Sequence, residues 1–341
     1  MHKFLATVLI AILLVFSTSP VQASSHVKFL SAISVANAQL EVDRLRSDAA
    51  AKYESANETT IRIVQLKRET DALLKKENGV KKQLDAASKI LAKIAINQYE
   101  SDGFGKGFGL LFSGNPSRYL SDASTLDMLG KSYAKSQRDF ASAKQRVQAS
   151  QLVVADRTSL LQVQQKRLII EVGAAKSALV KAEKILSSLK KADRKRLARE
   201  EAARVGKILS DSKKYASSYK GDNTRGSIAL KFALRQIGDI YVWAAAGPTK
   251  WDCSGLTLRA FQQAGVSLPH SSRIQINYGK SVSYKSLKPG DLLFFGKPIS
   301  HVSIYMGGGR MVQAPRPGRK VEVVQFTLQF GDKPFVGARR L

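Results

Sequence analysis

The chain has 341 residues, of which 55 are Lys or Arg and 27 are Asp or Glu, so its formal net charge is +28. A charge of this size is typical of proteins that work beside polyanions, although lysines that only solvate long helices are the alternative explanation. The single cysteine, Cys253, excludes an internal disulfide framework.

The first 23 residues have the pattern of a signal peptide. Lys3 precedes an apolar run from Phe4 to Phe16, Pro20 follows, and Ala23 is the expected last residue removed. The apolar run is shorter than the roughly 20 residues that span a bilayer, and a retained anchor is the alternative. We therefore expect a secreted, cell-wall-associated protein outside the cytoplasmic membrane. Its polyanionic partners would be wall polymers or lipid headgroups rather than nucleic acid.

Residues 31–209 carry apolar residues at intervals of seven, which predicts a long antiparallel coiled-coil hairpin. The position four residues after each member of the second series is mostly polar. We therefore expect a thin seam, meaning few apolar contacts between the two helices, and packing that can rearrange. The series are Leu66, Leu73, Val80, Ala87 and Ile94, then Tyr133, Phe140, Val147, Val154, Leu161, Leu168, Ala175, Ala182 and Leu189.

Between the two series lies a glycine-rich turn with an apolar cluster, near residues 101–120. The turn predicts the tip of the hairpin. Its apolar side chains either pack on the hairpin's end or form a docking surface for a partner, because exposed apolar patches mark interaction sites. The candidate partner-binding residues are Phe104, Phe108, Leu111 and Phe112.

The polar, Ser- and Lys-rich stretch 210–226 predicts a flexible linker. From residue 227 to 341 the pattern changes to helices followed by short strands separated by Gly and Pro. This order predicts a compact α+β domain.

Cys253 lies where an extended segment turns into a helix, with Asp252 in the capping position. A helix N-terminus lowers the pKa of a thiol, which favours a reactive cysteine over an inert, buried one. A thiolate nucleophile also needs an imidazole base held by a third group. His301 opens a predicted hairpin that brings it roughly across from Gln313, whose amide could orient the ring.

The C-terminal third resembles the papain-like NlpC family of cell-wall peptidases. The resemblance rests on four blocks in order: "YVW…GPTKWDCSGL", "GVSLPHSS", "LKPGDLLFF" and "SHVSIYMGGGRMVQAP". It implies that Cys253 is the nucleophile, His301 the base and Gln313 the polar third residue. By the same resemblance Tyr241, Asp252 and Ser254 line the substrate side of the cleft. The family cleaves γ-D-glutamyl bonds to meso-diaminopimelate or lysine in peptidoglycan stem peptides.

Three positions depart from the family's usual pattern. Ala244 and Ala245 stand where two glycines are usual, and their methyl groups could narrow the cleft or tilt the strand. His270 stands where arginine is common.

The N-terminal half is similar, more loosely, to the coiled-coil regulatory regions of division-associated wall hydrolases. The likeness lies in the architecture and in "FSGNPSRYLSDASTLDML". It implies an enzyme that its helices keep inactive and that an FtsEX-type membrane complex activates. We accordingly expect a helix of the N-terminal half to cover the Cys253 cleft at rest.

Two alternatives remain. The chain could be a non-catalytic adaptor that binds the wall and acts through its coiled coil, or an amidase or acyltransferase built on the same fold. No cofactor is predicted. Metal hydrolysis is disfavoured, because the one cysteine and the three scattered histidines that remain after signal removal give no ligand spacing.

Overall fold

The computed structural model describes residues 23–100 and 116–341. Helix α1 (Ala23–Glu100) and helix α2 (Pro116–Ser188) pack side by side. The start of α1 contacts the end of α2, so the helices are antiparallel and form the predicted hairpin. At 1.5 Å per residue, its 73-residue arm is about 110 Å long. No helix within the described ranges is long and apolar enough to cross a membrane.

Two predicted features lie largely or wholly outside the described residues. The signal peptide, predicted over residues 1–23, has only its last residue within them. The four candidate partner-binding residues of the tip, Phe104, Phe108, Leu111 and Phe112, all fall in the undescribed range 101–115.

The predicted heptad positions form the contact between the two helices. All of them except Tyr133 are buried or half-buried. The companion position of the second series lies three residues on rather than four, and it often holds a small residue such as Ala143, Ser150 or Ala178. The polar residues four positions on, from which a thin seam was expected, are mostly exposed, and the small side chains of the buried row let the helices approach closely.

The predicted linker is partly wrong. Helix α3 (Lys191–Ser218) begins after a break at residues 189–190 and runs through the first half of the range 210–226. Its serines are not all solvated: Ser212 is fully buried and its hydroxyl accepts a hydrogen bond of 2.8 Å from the N–H of Val323. Tyr215 packs against the domain core and beneath the guanidinium of Arg310. The hairpin therefore ends at Ser188, and α3 belongs with the C-terminal domain.

The C-terminal domain has the predicted α+β order. Its helices are α4 (Arg225–Arg235), α5 (Cys253–Gln262) and the single turn α6 (Ser272–Gln275). Two short strands, β1 (Ile240–Tyr241) and β2 (Lys250–Trp251), pair in parallel ahead of α5. The remaining strands are β3 (Lys280–Val282), β4 (Leu292–Phe295), β5 (His301–Gly307), β6 (Arg310–Gln313), β7 (Glu322–Gln325), β8 (Gln329–Phe330) and β9 (Lys333–Arg340).

These seven strands form one antiparallel sheet in the order β3-β9-β4-β5-β6-β7, with β8 paired to β9. Alternate residues of β4 face opposite sides, as the pleat requires. Leu292 and Phe294 pack under α4 and α5, whereas Leu293 and Phe295 join a second cluster with Met311 on the other face. The sheet is thus buried on both sides, and β5 lies between the two clusters.

One close backbone approach seats helix α4 on this sheet. Gly290 has φ +95°, and a methyl group there would lie 2.2 Å from Cα of Gly226 in the first turn of α4. Gly290→Ala should therefore lower the free energy of unfolding by about 3 kcal/mol in urea titration.

Gly265→Ala is the matched control for Gly290→Ala. Gly265 also has positive φ (+74°), but no heavy atom lies within 4 Å of the added methyl. Only the conformational cost of about 1 kcal/mol should remain. Equal losses in both variants would show that the Gly290–Gly226 contact does not control the packing of α4.

Candidate functional site

Cys253 is the first residue of α5, where strand β2 turns into the helix. The side chain of Asp252 accepts a hydrogen bond of 2.7 Å from the N–H of Gly255, so the predicted cap is confirmed. The N–H of Val302 in β5 also donates toward the thiol. The local sequence therefore places Cys253 at a positive helix end, near the start of the central strand β5.

Asp252 is fully buried and joins three separate segments. Besides the cap, its carboxylate accepts 2.8 Å bonds from the N–H of Ala244 and from Nε2 of His270. Ala244 adopts φ +57°, a conformation that favours glycine. Ala244, which stands where the family usually has glycine, thus still donates its backbone N–H to Asp252. His270 makes a hydrogen bond to the same carboxylate.

His301 and Gln313 form a direct pair. His301 Nε2 lies 2.7 Å from Gln313 Oε1. The register pairs Ile304 with Val312, so Gln313 lies opposite Ser303, two residues from His301 and on the same face of the sheet. The predicted contact is present as a diagonal neighbour pair.

Two charged residues behind Gln313 fix its orientation. The amide nitrogen of Gln313 lies 3.5 Å from Glu322 Oε1 and donates to it, and Glu322 accepts a 2.6 Å bond from Arg319. Because the amide N–H points at Glu322, the amide oxygen points at His301. The ring must then donate through Nε2, which leaves Nδ1 as the basic nitrogen.

Burial, followed by the charge of Lys333, lowers the pKa of His301 to about 3, against the bond to Gln313, which raises it. The ring is therefore neutral near pH 7. Its Nδ1 is buried and has no hydrogen-bond partner among the described residues. A neutral imidazole with an unoccupied Nδ1 is the form that can accept a proton from a thiol.

Helix α1 inserts the carboxylate of Glu54 beside Cys253. One oxygen lies 3.7 Å from Sγ of Cys253 and 3.1 Å from the hydroxyl of Ser254, and the other accepts the N–H of Ser272. The thiol therefore donates its hydrogen bond to Glu54. Glu54 is 2% exposed and Cys253 is 3% exposed, so the contact closes the site to solvent.

Neighbouring residues of α1 complete this contact. Asn57 donates a 3.1 Å bond to Asp252 and accepts a 2.9 Å bond from the indole N–H of Trp243. Tyr53 stacks on the same indole, with ring centroids 4.6 Å apart. Contacts on both sides of Glu54 thus hold α1 on the domain.

Burial raises the pKa of the Cys253 thiol well above its ordinary value, and the charges of Glu54 and Asp252 raise it further. The Val302 amide and Lys333 act in the opposite direction but do not compensate. The thiol is therefore protonated in this arrangement. Removing α1 would remove both the burial and the Glu54 charge, which are the first two causes.

The three candidate substrate-side residues surround the same cysteine. Ser254 bonds Glu54 and Asp252 is buried beneath Asn57. Tyr241 is 7% exposed, and burial, then the charges of Cys253 and Asp252, raise its pKa. Within the described ranges, no group of three or more His, Cys, Asp or Glu side chains could hold a metal ion.

Sequence reasoning missed the residues that reach the site from elsewhere in the chain. Glu54 and Asn57 lie about 200 positions before Cys253 and precede the first heptad series. A glutamate and an asparagine on one face of an otherwise Ala- and Ser-rich stretch were the available signal. The sequence carried no signal for Glu322, Arg319 and Lys333, because charged residues near short strands are usually exposed to solvent.

Residues 238–340 match the NlpC/P60 family. They form an NlpC/P60 domain. A protein of Mycobacterium bovis named "Probable endopeptidase" is 42% identical over 120 residues, which are 35% of this chain and 30% of that protein. The Listeria monocytogenes protein named "Probable endopeptidase p60" is 45% identical over 92 residues, 26% of this chain and 19% of that one.

The chain thus matches less than a third of the length of these curated relatives. A solved NlpC/P60 family protein from Bacillus cereus overlaps 34% of this chain and 42% of its own, at 30% identity and a TM-score of 0.30. The predicted fold class, an α+β NlpC-type domain preceded by a long antiparallel helical hairpin, is confirmed.

The two histidines of the NlpC/P60 domain should give opposite pH dependences of stability. The folded-state pKa of His301 is about 3 and its usual value is 6.5, so the unfolded chain binds more protons as the pH falls below 6.5. This costs about 2 kcal/mol of stability between pH 7 and pH 5. His301→Gln should therefore lose less stability on acidification in urea titrations.

His270→Gln is the matched comparison. Burial lowers the pKa of His270, but Asp252 and Glu54 outweigh it and the net shift is upward. Its stabilising contribution is full below the unfolded pKa and is lost as the pH rises through the folded one. His270→Gln should therefore lose its stability mainly at acid pH. Shifts of the same sign in both variants would contradict these protonation states.

Proposed function

We propose that this protein is an exported cell-wall hydrolase, a cysteine endopeptidase that cuts the γ-D-glutamyl–diamino acid bond of peptidoglycan stem peptides. The observation that carries the proposal is the arrangement of Cys253 and the His301–Gln313 pair. Cys253 lies at a capped helix N-terminus, and the ring of His301 has a free Nδ1 among the described residues, within an NlpC/P60 domain. A pure wall-binding adaptor would need neither group.

The reaction follows from the two groups. Nδ1 of His301 takes the thiol proton, and the Cys253 sulfur attacks the γ-carbonyl carbon. The C–N bond then breaks as His301 returns that proton to the leaving amine. Water, deprotonated by His301, hydrolyses the thioester and restores the thiol. Gln313 keeps the ring in the required tautomer, which an amide can do without adding charge.

The contact of α1 with the domain supports an autoinhibited resting state. Glu54 fills the space beside Cys253, takes the thiol's hydrogen bond and raises the thiol pKa. The resting enzyme is therefore blocked sterically, and its nucleophile is also kept protonated. Withdrawal of α1 would free Ser254 and the Ser272 amide for the acyl side of the substrate, where Tyr241 and Asp252 also lie.

The hairpin also suggests how the cover is removed. The hairpin arm is about 110 Å long, and the contacts named above between α1 and the domain lie near one end of it, so it is suited to act as a lever. We assign its distal tip to a membrane activator of the FtsEX type. The net charge of +28 suits a protein that also contacts anionic wall polymers.

The autoinhibition and the chemistry can be tested together in the mature full-length chain. Glu54→Ala with Asn57→Ala, called here the open variant, removes the polar contacts that hold α1 in the cleft. It should label with a thiol reagent at pH 7.5 about tenfold faster or more, because the thiol gains solvent and a lower pKa. It should also digest purified sacculi, with products identified by mass.

Three further changes control this experiment. Asp85→Ala removes an α1 carboxylate that pairs with exposed Lys89 and should behave as the parent. Cys253→Ala in the open variant should abolish digestion, His301→Ala should be nearly as severe, and Gln313→Ala should be milder, since it removes orientation rather than chemistry. Digestion by the Cys253→Ala protein would refute the catalytic assignment, and equal labelling of parent and open variant would refute autoinhibition.

The tip assignment has its own test. Replacing Phe108, Leu111 and Phe112 with serine should weaken recruitment to the membrane or septum, because these apolar residues are assigned to the partner. Digestion of sacculi by the open variant carrying the same replacements should be unchanged. Unaltered localisation would return these residues to internal packing of the hairpin end.

A further inference from the structure

Lys333, the first residue of β9, is a buried lysine with no assigned role. Only 6% of it is exposed, yet its ammonium takes part in no ion pair within the described part of the chain. Lysines are almost never this buried unless they are paired. Burial lowers the pKa of Lys333, which means that keeping the charged ammonium buried reduces the stability of the folded protein.

The β8–β9 hairpin places Lys333 beside the base. Lys333 pairs in register with Phe330, and the ring of Phe330 stacks on His301 with centroids 4.5 Å apart. The charge of Lys333 acts on both reacting groups, since it lowers the pKa of His301 after burial does and opposes the raised pKa of Cys253. Lys333 therefore borders the cleft on the His301 side.

The His301 side is the side of the leaving group. The base must return its proton to the departing amine, so the amino acid that carries this amine lies next to the imidazole. We assign the acyl side to the place now filled by Glu54, which Ser254 and the amide of Ser272 hold. A cation beside His301 thus faces the amino acid released by the cut.

A second cation, Arg316, lies between β6 and β7, and its charge also lowers the pKa of Lys333. The Arg316 side chain is 14% exposed and makes a 2.7 Å ion pair with Asp43 of α1, while its Nη1 is buried without a partner among the described residues. Ser47 of α1 bonds Asp332, next to Lys333. Helix α1 therefore covers this cationic edge as well as Cys253. If α1 were withdrawn, Arg316 would lose its ion pair with Asp43. Lys333 would then face the cleft.

We propose that Lys333, assisted by Arg316, binds a free carboxylate on the diamino acid that leaves. The protein would then prefer stem peptides whose diamino acid keeps its second carboxylate, the diaminopimelate type, over those with lysine or an amidated carboxylate. This assignment rests on the proposed endopeptidase function and names its substrate class. In it Lys333 is a substrate-binding residue, because it touches the leaving amino acid and not the scissile bond.

The test uses the full-length open variant and two tetrapeptides of sequence L-alanyl-γ-D-glutamyl-diaminopimelyl-D-alanine. One has the free side-chain carboxylate and the other has it amidated. The free acid should be cut with a kcat/KM about tenfold higher or more, since a charge-assisted bond in a desolvated site is lost in the amide. Lys333→Met should bring the ratio close to 1 chiefly through KM, and Lys333→Arg should restore part of it.

Lys280→Met, which changes an exposed lysine on β3, is the control and should keep the parent ratio. Circular dichroism will verify the fold of each variant. Equal cleavage of the two peptides by the open variant, or an unchanged ratio in Lys333→Met, would overturn the assignment alone. Cleavage of neither peptide would overturn the proposed function and this assignment with it.

Discussion

The buried carboxylate of Asp252 is the interaction on which the site depends. It caps α5 and so fixes Cys253, holds the left-handed turn at Ala244, and anchors His270. Without these donors a buried carboxylate would be strongly destabilising. The segments around it are therefore ordered together, and Cys253 is positioned by the same group that orders the loop beside it. Asn57 of α1 donates a hydrogen bond to this same carboxylate.

The closed arrangement brings a second carboxylate into the same buried space. Burial and the charge of Asp252 raise the pKa of Glu54, whereas the Ser272 bonds lower it. Placing two acidic groups this close costs free energy that the stack of Tyr53 on Trp243 and the ion pairs at Arg273 and Arg316 must offset. A cover of this kind can be stable at rest and still be released by a partner that contributes a few kcal/mol.

Contacts between residues close in the sequence could be predicted, whereas contacts between distant segments could not. The heptads, the cap at Asp252 and the His301–Gln313 contact depend on spacing within one helix or one hairpin, and a sequence displays spacing directly. Glu54 reaches Cys253 across 199 positions, and nothing in its neighbourhood specifies that distance. The linker was mispredicted for a related reason. A serine-rich stretch looks solvated until tertiary contacts, such as Ser212 with Val323, satisfy its hydroxyls.

The base of the hairpin shows how a movement of one helix would reach the cysteine. Glu171 of α2 accepts bonds from Ser55 and Thr59 of α1, 2.6 and 2.8 Å long, one on each side of Asn57. Close by, Ala49 of α1 packs against a row of alanines on α2, a contact that allows sliding more readily than interlocked large side chains would. Because Ser55 follows Glu54 directly, a shift or rotation of α2 that carries Glu171 with it must turn or translate this part of α1. The carboxylate at Cys253 lies at the end of that chain of contacts, and this is the route by which we propose that a displacement between the helices withdraws it.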